Sequence, residues 1–469
     1  MILGVAMFQI LTLRAGHRWG DDFAMYIHHA KNIAEGIPYA DTGYIYNTHT
    51  QQGPATYPPV FPLLLAPVYK AFGLDLGPMK VEVVVFFAGA LLLFGLLLRT
   101  ELPPPVLLAF LVILGFSPFF WQAKDDVLSD FPFLFFLALS LLLIHRAPDW
   151  ERRFKWRPLY PIGTGAALYL AVGTRPVGLA LVPTLLAADW VRNRRLTRMT
   201  FVPLAVLIVL LGLQSIFVHG GGGYLDQLLP TPASVGRNVA GYARALQRIW
   251  QADRTGAELP VLYWVLAALT ITGFVMRLRR GVTVIEIWPV MYCIPILLWH
   301  SRPVARYLIP WIPFFVFFAL VGAVAVGVFL RKKLGVAGSV ILPAILVVGI
   351  LLTYARVYAR TDFGPIAGGP TSPAAGRLWS FVKDRTSEQD VFVFIKPRAL
   401  SLFTGRPASA YYEPKDEREL WAYVREIHAR YVIVGPLDHA YLRRFVRSYQ
   451  HELTEVFSVG QFVVYDVAP

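Results

Sequence analysis

Long apolar stretches, each bounded by short polar segments, occupy most of the first 360 residues of the chain. A helix rises about 1.5 Å per residue, so roughly 20 apolar residues cross the hydrocarbon core of a bilayer. By this criterion the pattern predicts about eleven transmembrane helices. They lie near residues 1–13, 81–98, 104–121, 127–145, 159–174, 176–191, 199–218, 260–276, 284–299, 307–330 and 335–355. The first stretch is too short for a full span, which predicts a tilted or incomplete helix there.

The pattern changes after the last of these stretches. Residues 361–373 are rich in proline and glycine and are interpreted as a linker. Residues 374–469 then alternate between helical and strand periodicity, with helices predicted in DERELWAYVREIHARY and LDHAYLRRFVRSY and strands in YVIVG and QFVVYDV. The sequence therefore predicts a membrane domain over 1–360 and a small α/β domain over 374–469.

The composition supports a membrane protein. Apolar residues make up 56% of the chain and charged residues only 16%, against roughly 25% charged in soluble domains. This hydrophobicity excludes a disordered chain. Cys293 is the only cysteine, which excludes an intramolecular disulfide and a cysteine-based metal site.

The net charge of +14 is an orientation signal. Sixteen Lys and Arg residues, with only three acids, lie in alternate short loops between the predicted spans. The positive-inside rule places these loops in the cytosol, and it places loops 14–80 and 219–259 and the C-terminal domain on the opposite side. Because this excess is confined to one face of the membrane, we expect no nucleic-acid partner.

Two adjacent acids, Asp21 and Asp22, directly follow the first predicted span in GDDFAMYIHHAKNIAEGIPY, residues 20–39. Apolar positions recur there at helical spacing, which predicts an amphipathic helix along the membrane interface with the aspartates at its N-terminus. A plain N-cap is one interpretation of the pair. The other is catalytic: one carboxylate removes a proton from a hydroxyl nucleophile while the other orients it or shares a cation. Residues 56–73 predict a second interfacial helix. This segment either serves only to pack the loop or shapes a groove for a long lipid chain.

The pairing of DDFAMYIHHAKNIAEG with YPPVFPLLLAPVYKAFG resembles the first extracytoplasmic loop of GT-C-fold membrane glycosyltransferases. The nearest likeness is to bacterial relatives of the dolichyl-phosphate-mannose protein mannosyltransferases, a glycosyltransferase family 39-like group. The resemblance implies an α-helical polytopic protein of the bacterial inner membrane, with interfacial helices in its first outer loop. It also implies transfer of a sugar from a polyprenyl-phosphate donor to a hydroxyl of a glycan, lipid or protein on the extracytoplasmic face, with inversion. Asp21 and Asp22 would then be catalytic.

A second charged cluster, Lys124, Asp125 and Asp126, lies at the outer end of a predicted span. Acids that mark a helix N-terminus are one interpretation. The resemblance implies another, a supporting acidic cluster near the donor or near a metal. A divalent cation, Mg²⁺ or Mn²⁺, between Asp22 and Asp125 or Asp126 therefore stays open, as does a reaction without any cofactor.

Outer-face arginines are the candidates for binding the donor phosphate. Arginine near hydrocarbon is costly and marks functional sites, and its guanidinium binds phosphate through two parallel hydrogen bonds. Snorkelling to the interface, or an ion pair with a nearby aspartate, is the structural alternative. The resemblance places Arg306 and Tyr307 opposite the donor phosphate, and Arg302 and Arg175 are expected to assist.

Five outer histidines, in contrast, lack the spacing of a zinc-binding helix, and most of them are expected to be solvated loop residues. They are His28, His29, His49, His219 and His300.

Two other classes of protein compete with a transferase. A transporter or lipid flippase would have a similar number of spans, but it should carry ionisable residues near the bilayer midplane and paired broken helices. The middles of the predicted spans are nearly free of charge. A membrane scaffold or sensor would use the C-terminal domain for partner binding, and it leaves Asp21, Asp22 and Arg306 unexplained.

Overall fold

The fold is taken from a computed structural model that describes residues 1–50, 53–153, 159–218, 232–251, 260–299, 303–334, 338–438 and 440–468. The helices before the C-terminal domain are α1 (Ile2–Leu11), α2 (Asp22–Glu35), α3 (Val60–Phe72), α4 (Leu76–Leu98), α5 (Pro104–Gly115), α6 (Pro118–Ala123), α7 (Asp130–Arg153), α8 (Leu159–Val172), α9 (Leu181–Asn193), α10 (Arg198–Phe217), α11 (Pro232–Ile249), α12 (Val261–Arg280), α13 (Val284–Leu298), α14 (Ile312–Leu334) and α15 (Gly338–Ala359). Short 3₁₀ turns cover Pro176–Ala180 and Ala305–Leu308.

Every predicted span contains a helix, so the chain is a polytopic membrane protein. Among the described residues, seven helical segments are long and apolar enough to cross a membrane. They are Leu76–Leu98, Pro104–Ala123, Asp130–Ala147, Arg198–Ile216, Val261–Arg280, Ile312–Lys333 and Ile341–Ala359. The other four predicted spans correspond to the shorter helices α1, α8, α9 and α13, which fall below the roughly 20 residues of a complete crossing.

The first outer loop folds into α2 and α3, where two helices are predicted, and α2 is largely buried within the protein. It packs against α3 and against a helix of the C-terminal domain, and its residues 23–30 are buried. The expectation of solvated histidines is wrong for His28 and His29: burial lowers the pKa of these two side chains, to about 4 and about 3. His29 accepts a hydrogen bond from the backbone N–H of Tyr57 at 3.2 Å. His49 is exposed as expected, whereas His219 and His300 lie outside the described residues.

The C-terminal region contains the predicted mixture of helices and strands. Its elements are α16 (Pro373–Arg385), β2 (Val391–Val393), α17 (Pro397–Thr404), β3 (Ala408–Ser409), α18 (Glu417–Glu426), β4 (Ala429–Val434), α19 (Ala440–Ser448), β5 (Leu453–Val459) and β6 (Phe462–Val467). One further strand, β1 (Tyr44–Ile45), comes from the first outer loop.

These strands form a six-stranded sheet in the order β1-β3-β2-β4-β6-β5. The pairs β1–β3, β3–β2 and β2–β4 are parallel, and β4–β6 and β6–β5 are antiparallel. Tyr44 pairs with Ala408, and Ile45 pairs with Ser409. The sheet therefore joins the first outer loop directly to the end of the chain.

Close backbone contact holds α12 against α14 in the membrane part. A Cβ atom added to Gly273 would lie 1.9 Å from the carbonyl oxygen of Phe318, and one added to Gly322 would lie 2.0 Å from that of Leu269. Small residues allow transmembrane helices to approach in this way. These two glycines therefore set the distance between α12 and α14.

Replacing Gly273 by alanine should separate α12 from α14 and lower the free energy of unfolding by about 1–3 kcal/mol, as overpacking does elsewhere. The measurement is the thermal unfolding midpoint of the purified protein in detergent. Gly349→Ala is the matched control, because an added Cβ there meets nothing within 4 Å. Equal midpoints for the two variants would contradict the contact.

Candidate active site

A cavity of about 730 Å³ lies where the first outer loop, α13, the turn before α14 and the C-terminal domain meet. Its walls include several of the residues singled out from the sequence. These are Asp21, Asp22, Asp126, Arg175, Arg306 and Tyr307. Arg302 lies outside the described residues, and Lys124 and Asp125 are not part of the walls.

Asp22, in the first turn of α2, is held by three partners. Its carboxylate forms an ion pair with Arg306 and accepts a hydrogen bond from the Tyr57 hydroxyl at 2.6 Å. Arg398 Nη1 lies 3.6 Å from its Oδ1 atom. Burial alone would raise the pKa of Asp22, but Arg306, Arg398 and Tyr57 outweigh it and hold the pKa well below its ordinary range. Asp22 is therefore ionised at neutral pH.

Asp21 occupies the N-cap position of α2, but its side chain makes no capping hydrogen bond, so the plain N-cap interpretation is wrong. Its Oδ1 atom accepts a long hydrogen bond, 3.4 Å, from the backbone N–H of Ala399. Its Oδ2 atom lies 3.6 Å from Arg398 Nε and has no hydrogen-bond partner among the described residues. Burial raises the pKa of Asp21 to about 6, against the opposing charges of Arg398 and Lys396. The two neighbouring carboxyls thus have widely separated pKa values, a pattern that distinguishes acid–base roles.

Arg398 is the residue that the sequence reasoning missed. It lies in the first turn of α17, in the C-terminal domain, and its side chain is only 2% exposed. It donates hydrogen bonds to the Tyr57 hydroxyl at 2.7 Å and to the carbonyl oxygen of Pro54 at 3.0 Å. Its guanidinium also lies over the rings of Tyr44 and Tyr57, at 4.6 and 5.0 Å from their centroids. Arg398 therefore links the C-terminal domain to both aspartates.

Gly53 makes room for this arginine. A Cβ atom at this position would lie 2.9 Å from Arg398 Nη2, and the backbone φ of +48° is one that glycine adopts readily. The loop that carries Gly53 and Pro54 is thus shaped around the buried guanidinium.

Arg306 and Arg175 both reach the cavity, each through an ion pair. Arg306 pairs with Asp22, and Arg175 pairs with Asp130 at the start of α7. Both guanidiniums also lie near the Tyr307 ring, at 5.6 and 5.5 Å from its centroid. The Arg306 side chain is 31% exposed and that of Arg175 is 14% exposed. Arg306 is therefore the more accessible cation for an incoming anion.

Lys124 and Asp125 form a buried structural cluster instead of a wall of the cavity. Asp125 pairs with Arg14 at 2.7 Å and with Lys124 at 2.8 Å. The Arg14 guanidinium and the Lys124 ammonium group both lie over the Trp121 ring. Lys124 also donates to the carbonyl oxygen of Thr12 at 2.8 Å. The cluster thus ties the end of α1 to the segment after α6. The charges of Arg14, Lys124 and Asp125 are therefore paired within the cluster.

The side chains on the cavity wall do not fit a divalent cation between Asp22 and Asp126. Each of these carboxylates is already paired with its own arginine, Arg306 for Asp22 and Arg18 for Asp126. In the described part of the chain, no group of three or more His, Cys, Asp or Glu residues could hold a metal. Hard divalent cations need several oxygen ligands, which this donor set does not supply.

Comparison with known proteins places the fold. No protein family model and no curated protein matches the sequence. Among solved structures, ArnT from Cupriavidus metallidurans bound to undecaprenyl phosphate is 15% identical, with a TM-score of 0.56 over 99% of this chain and 97% of that one. The apo form of that protein gives a TM-score of 0.59 at the same identity and coverage.

A second neighbour is the archaeal oligosaccharyltransferase AglB from Archaeoglobus fulgidus, in complex with an inhibitory peptide and a dolichol-phosphate. It is 13% identical, with a TM-score of 0.58 over 92% of this chain and 69% of that one. The protein therefore has the GT-C fold of membrane glycosyltransferases, as the first outer loop predicts. At these identities the likeness establishes the fold.

The separated pKa values predict opposite effects of two isosteric substitutions on stability. At pH 7.5, Asp22→Asn should lower the free energy of unfolding by about 3 kcal/mol, because it leaves Arg306 without its paired anion and removes one of the two carboxylates near Arg398. Asp21→Asn should not lower it, because burial disfavours the ionised form of Asp21. The measurement is the thermal unfolding of both variants in detergent.

The effect of Asp21→Asn should also depend on pH. The native state holds a proton on Asp21 up to about pH 6, whereas the unfolded state loses this proton near pH 4. Any gain from Asp21→Asn should therefore shrink as the pH falls from 7.5 to 5. A loss of stability that is equal for the two variants would contradict the assignment.

Proposed function

We propose that the protein transfers a sugar from a polyprenyl-phosphate donor to an acceptor hydroxyl, with inversion at the anomeric carbon. The observation that carries the proposal is the pair Asp21 and Asp22, with separated pKa values, in one cavity with the accessible Arg306. The GT-C fold supports it, because neighbours with this fold have been solved with undecaprenyl phosphate and with a dolichol-phosphate. The positive-inside argument supports an extracytoplasmic site in a bacterial inner membrane.

In this proposal Asp21 is the general base. A base is most effective when its pKa lies near the working pH, and the pKa of Asp21 is raised to about 6. Its Oδ2 atom, which has no hydrogen-bond partner among the described residues, accepts the proton of the acceptor hydroxyl. The acceptor oxygen forms its bond to the anomeric carbon as the bond from that carbon to the phosphate oxygen breaks.

Arg306, with Tyr307 and Arg175 beside it, binds the donor phosphate and stabilises the charge that develops on the leaving oxygen. Asp22 does not exchange protons in this scheme. It remains ionised and orients Arg306 and the Tyr57 hydroxyl. Arg302, an outer-face arginine expected to assist Arg306, remains a candidate on the same segment.

The position of the charged groups favours an enzyme over a transporter. Asp21 and Asp22 lie at the N-terminus of α2, and Arg306 lies in the turn before α14. The two aspartates therefore lie in the first outer loop and Arg306 lies just before a membrane-spanning helix, whereas a transport pathway places its ionisable groups near the bilayer midplane.

The direct test incubates the purified protein with a radiolabelled polyprenyl-phosphate sugar and measures release of the lipid phosphate. Asp21→Asn should lower turnover by about 10²–10⁴-fold, the usual contribution of a general base. Asp41→Asn, which removes an exposed acid from the same loop, is the control and should leave turnover unchanged. The mechanism is wrong if wild-type protein consumes no such donor, or if Asp21→Asn retains full turnover.

The pH dependence of kcat/KM provides an independent test. The rate should rise with pH and level off above about 6, as Asp21 loses its proton. Asp22 should not contribute to this limb, because its pKa is held well below its ordinary range. In Arg398→Gln the loss of a nearby cation should raise the pKa of Asp21 further and move the limb to higher pH. A profile in Arg398→Gln that coincides with wild type would show that Asp21 is not the titrating base.

A further inference from the structure

A second cavity, outside the candidate active site, is lined by an arginine stripe on α11. Arg237, Arg244 and Arg248 are spaced by seven and four residues, which places them on one face of the helix. All three are exposed. Another face of α11, which contains Ser234, Asn238, Tyr242 and Leu246, is buried. From this face the Asn238 side chain donates hydrogen bonds to the carbonyl oxygens of Leu297, at 3.0 Å, and Trp299, at 2.6 Å. The orientation of α11 is therefore fixed by α13, and the arginines face away from that contact.

The cavity has a volume of about 740 Å³ and combines positive charge with apolar walls. Pro118 and Phe119 of α6, Ile249 of α11 and Val357 of α15 supply the apolar part. No carboxylate lies among the described residues that line it, where the polar residues other than the arginines are Gln122 and Gln251. A group that enters this cavity meets cations and hydrocarbon together.

Its location relates it to both the membrane and the first cavity. Phe119 and Val357 lie near the ends of the spans Pro104–Ala123 and Ile341–Ala359, which is the level of the membrane surface. Pro303 and Ala305 line this cavity, whereas the following Arg306 and Tyr307 line the candidate active site. One short segment of chain therefore forms the wall between the two cavities.

The segment lies in close contact with α11. A Cβ atom on Gly241, in the middle of the arginine stripe, would lie 2.4 Å from Pro303 Cγ. The boundary between the two cavities is thus closely packed against α11.

The chemistry of the second cavity matches a phosphate attached to an apolar group. Guanidiniums bind phosphate oxygens through paired hydrogen bonds, and three of them spread over about 16 Å of helix axis can hold more than one anionic group. The adjacent apolar walls are suited to contact with acyl chains, whereas a free phosphate ion would make no use of them. Arginine on the side of the membrane opposite the cytosolic loops also runs against the usual distribution of positive charge.

We propose that this basic cavity binds the phosphate-bearing headgroup of a lipid from the leaflet that faces it, at a site separate from the candidate active site. The lipid phosphate is held by Arg237, Arg244 and Arg248, and the start of its chains lies against Phe119 and Val357. The proposal concerns binding and does not depend on the transferase reaction.

The test measures binding by native mass spectrometry of the purified full-length protein in detergent. The probes are dioleoyl phosphatidic acid, dioleoyl phosphatidylcholine with matched chains, and inorganic phosphate. The wild-type protein should bind phosphatidic acid more tightly than either of the other two. The triple variant Arg237→Gln, Arg244→Gln and Arg248→Gln should bind it about tenfold more weakly or worse, since a hydrogen bond to a charged group contributes roughly 1.5–3 kcal/mol.

The control variant, Arg279→Gln, Arg280→Gln and Arg331→Gln, removes the same number of charges from the C-terminal ends of α12 and α14. It should keep wild-type affinity. Should the triple variant fail to fold, Arg244→Gln and Arg248→Gln alone should each weaken binding in the same direction. Three results would overturn the proposal: unchanged affinity in the α11 variants, an equal loss in the control variant, or equal binding of phosphatidylcholine. Arginine-dependent binding of inorganic phosphate that matches phosphatidic acid in strength would also overturn it, in favour of a free-phosphate site.

Discussion

The structure depends on the pairing of two carboxylates and two guanidiniums at one partly buried place. Transfer of a single charge from water into the protein interior is strongly unfavourable unless it is paired and hydrogen-bonded. Asp21, Asp22, Arg306 and Arg398 compensate one another, with the Tyr57 hydroxyl bridging Asp22 and Arg398. These side chains come from the first outer loop, the turn before α14 and the C-terminal domain. None of the three segments could bury its own charges alone.

The compensation is incomplete in one respect, and this gives the site its chemical character. Asp22 makes close contacts with its partners, whereas Asp21 has a distant guanidinium and a long backbone hydrogen bond. Burial therefore raises the pKa of one carboxyl while the cations lower that of its neighbour. Two chemically identical residues, adjacent in sequence, acquire different properties because the surrounding charges are arranged asymmetrically.

Local patterns predict most of the fold and part of the site. Hydropathy predicts the spans, and helical spacing after Asp21 and Asp22 predicts α2, because both signals lie within a short stretch of chain. The burial of α2 and the contact with Arg398 could not be predicted, since they depend on residues from the other end of the sequence. In a C-terminal domain with nearly balanced charge, nothing local distinguishes Arg398 from other arginines. Lys124 and Asp125 show the converse: a conspicuous charged motif that the fold uses to anchor α1.

The pairing of β1 with β3 has a consequence for the order in which the molecule is assembled. Residues 44 and 45 leave the ribosome long before residues 408 and 409, so this edge of the sheet is closed by a contact of very high sequence separation. This contact cannot form until residues 408 and 409 have been synthesised. The same closure brings Arg398 to the two aspartates. The membrane helices can therefore be inserted and packed while the charge cluster is still incomplete, and the site acquires its final electrostatics only when the last hundred residues have been synthesised and folded.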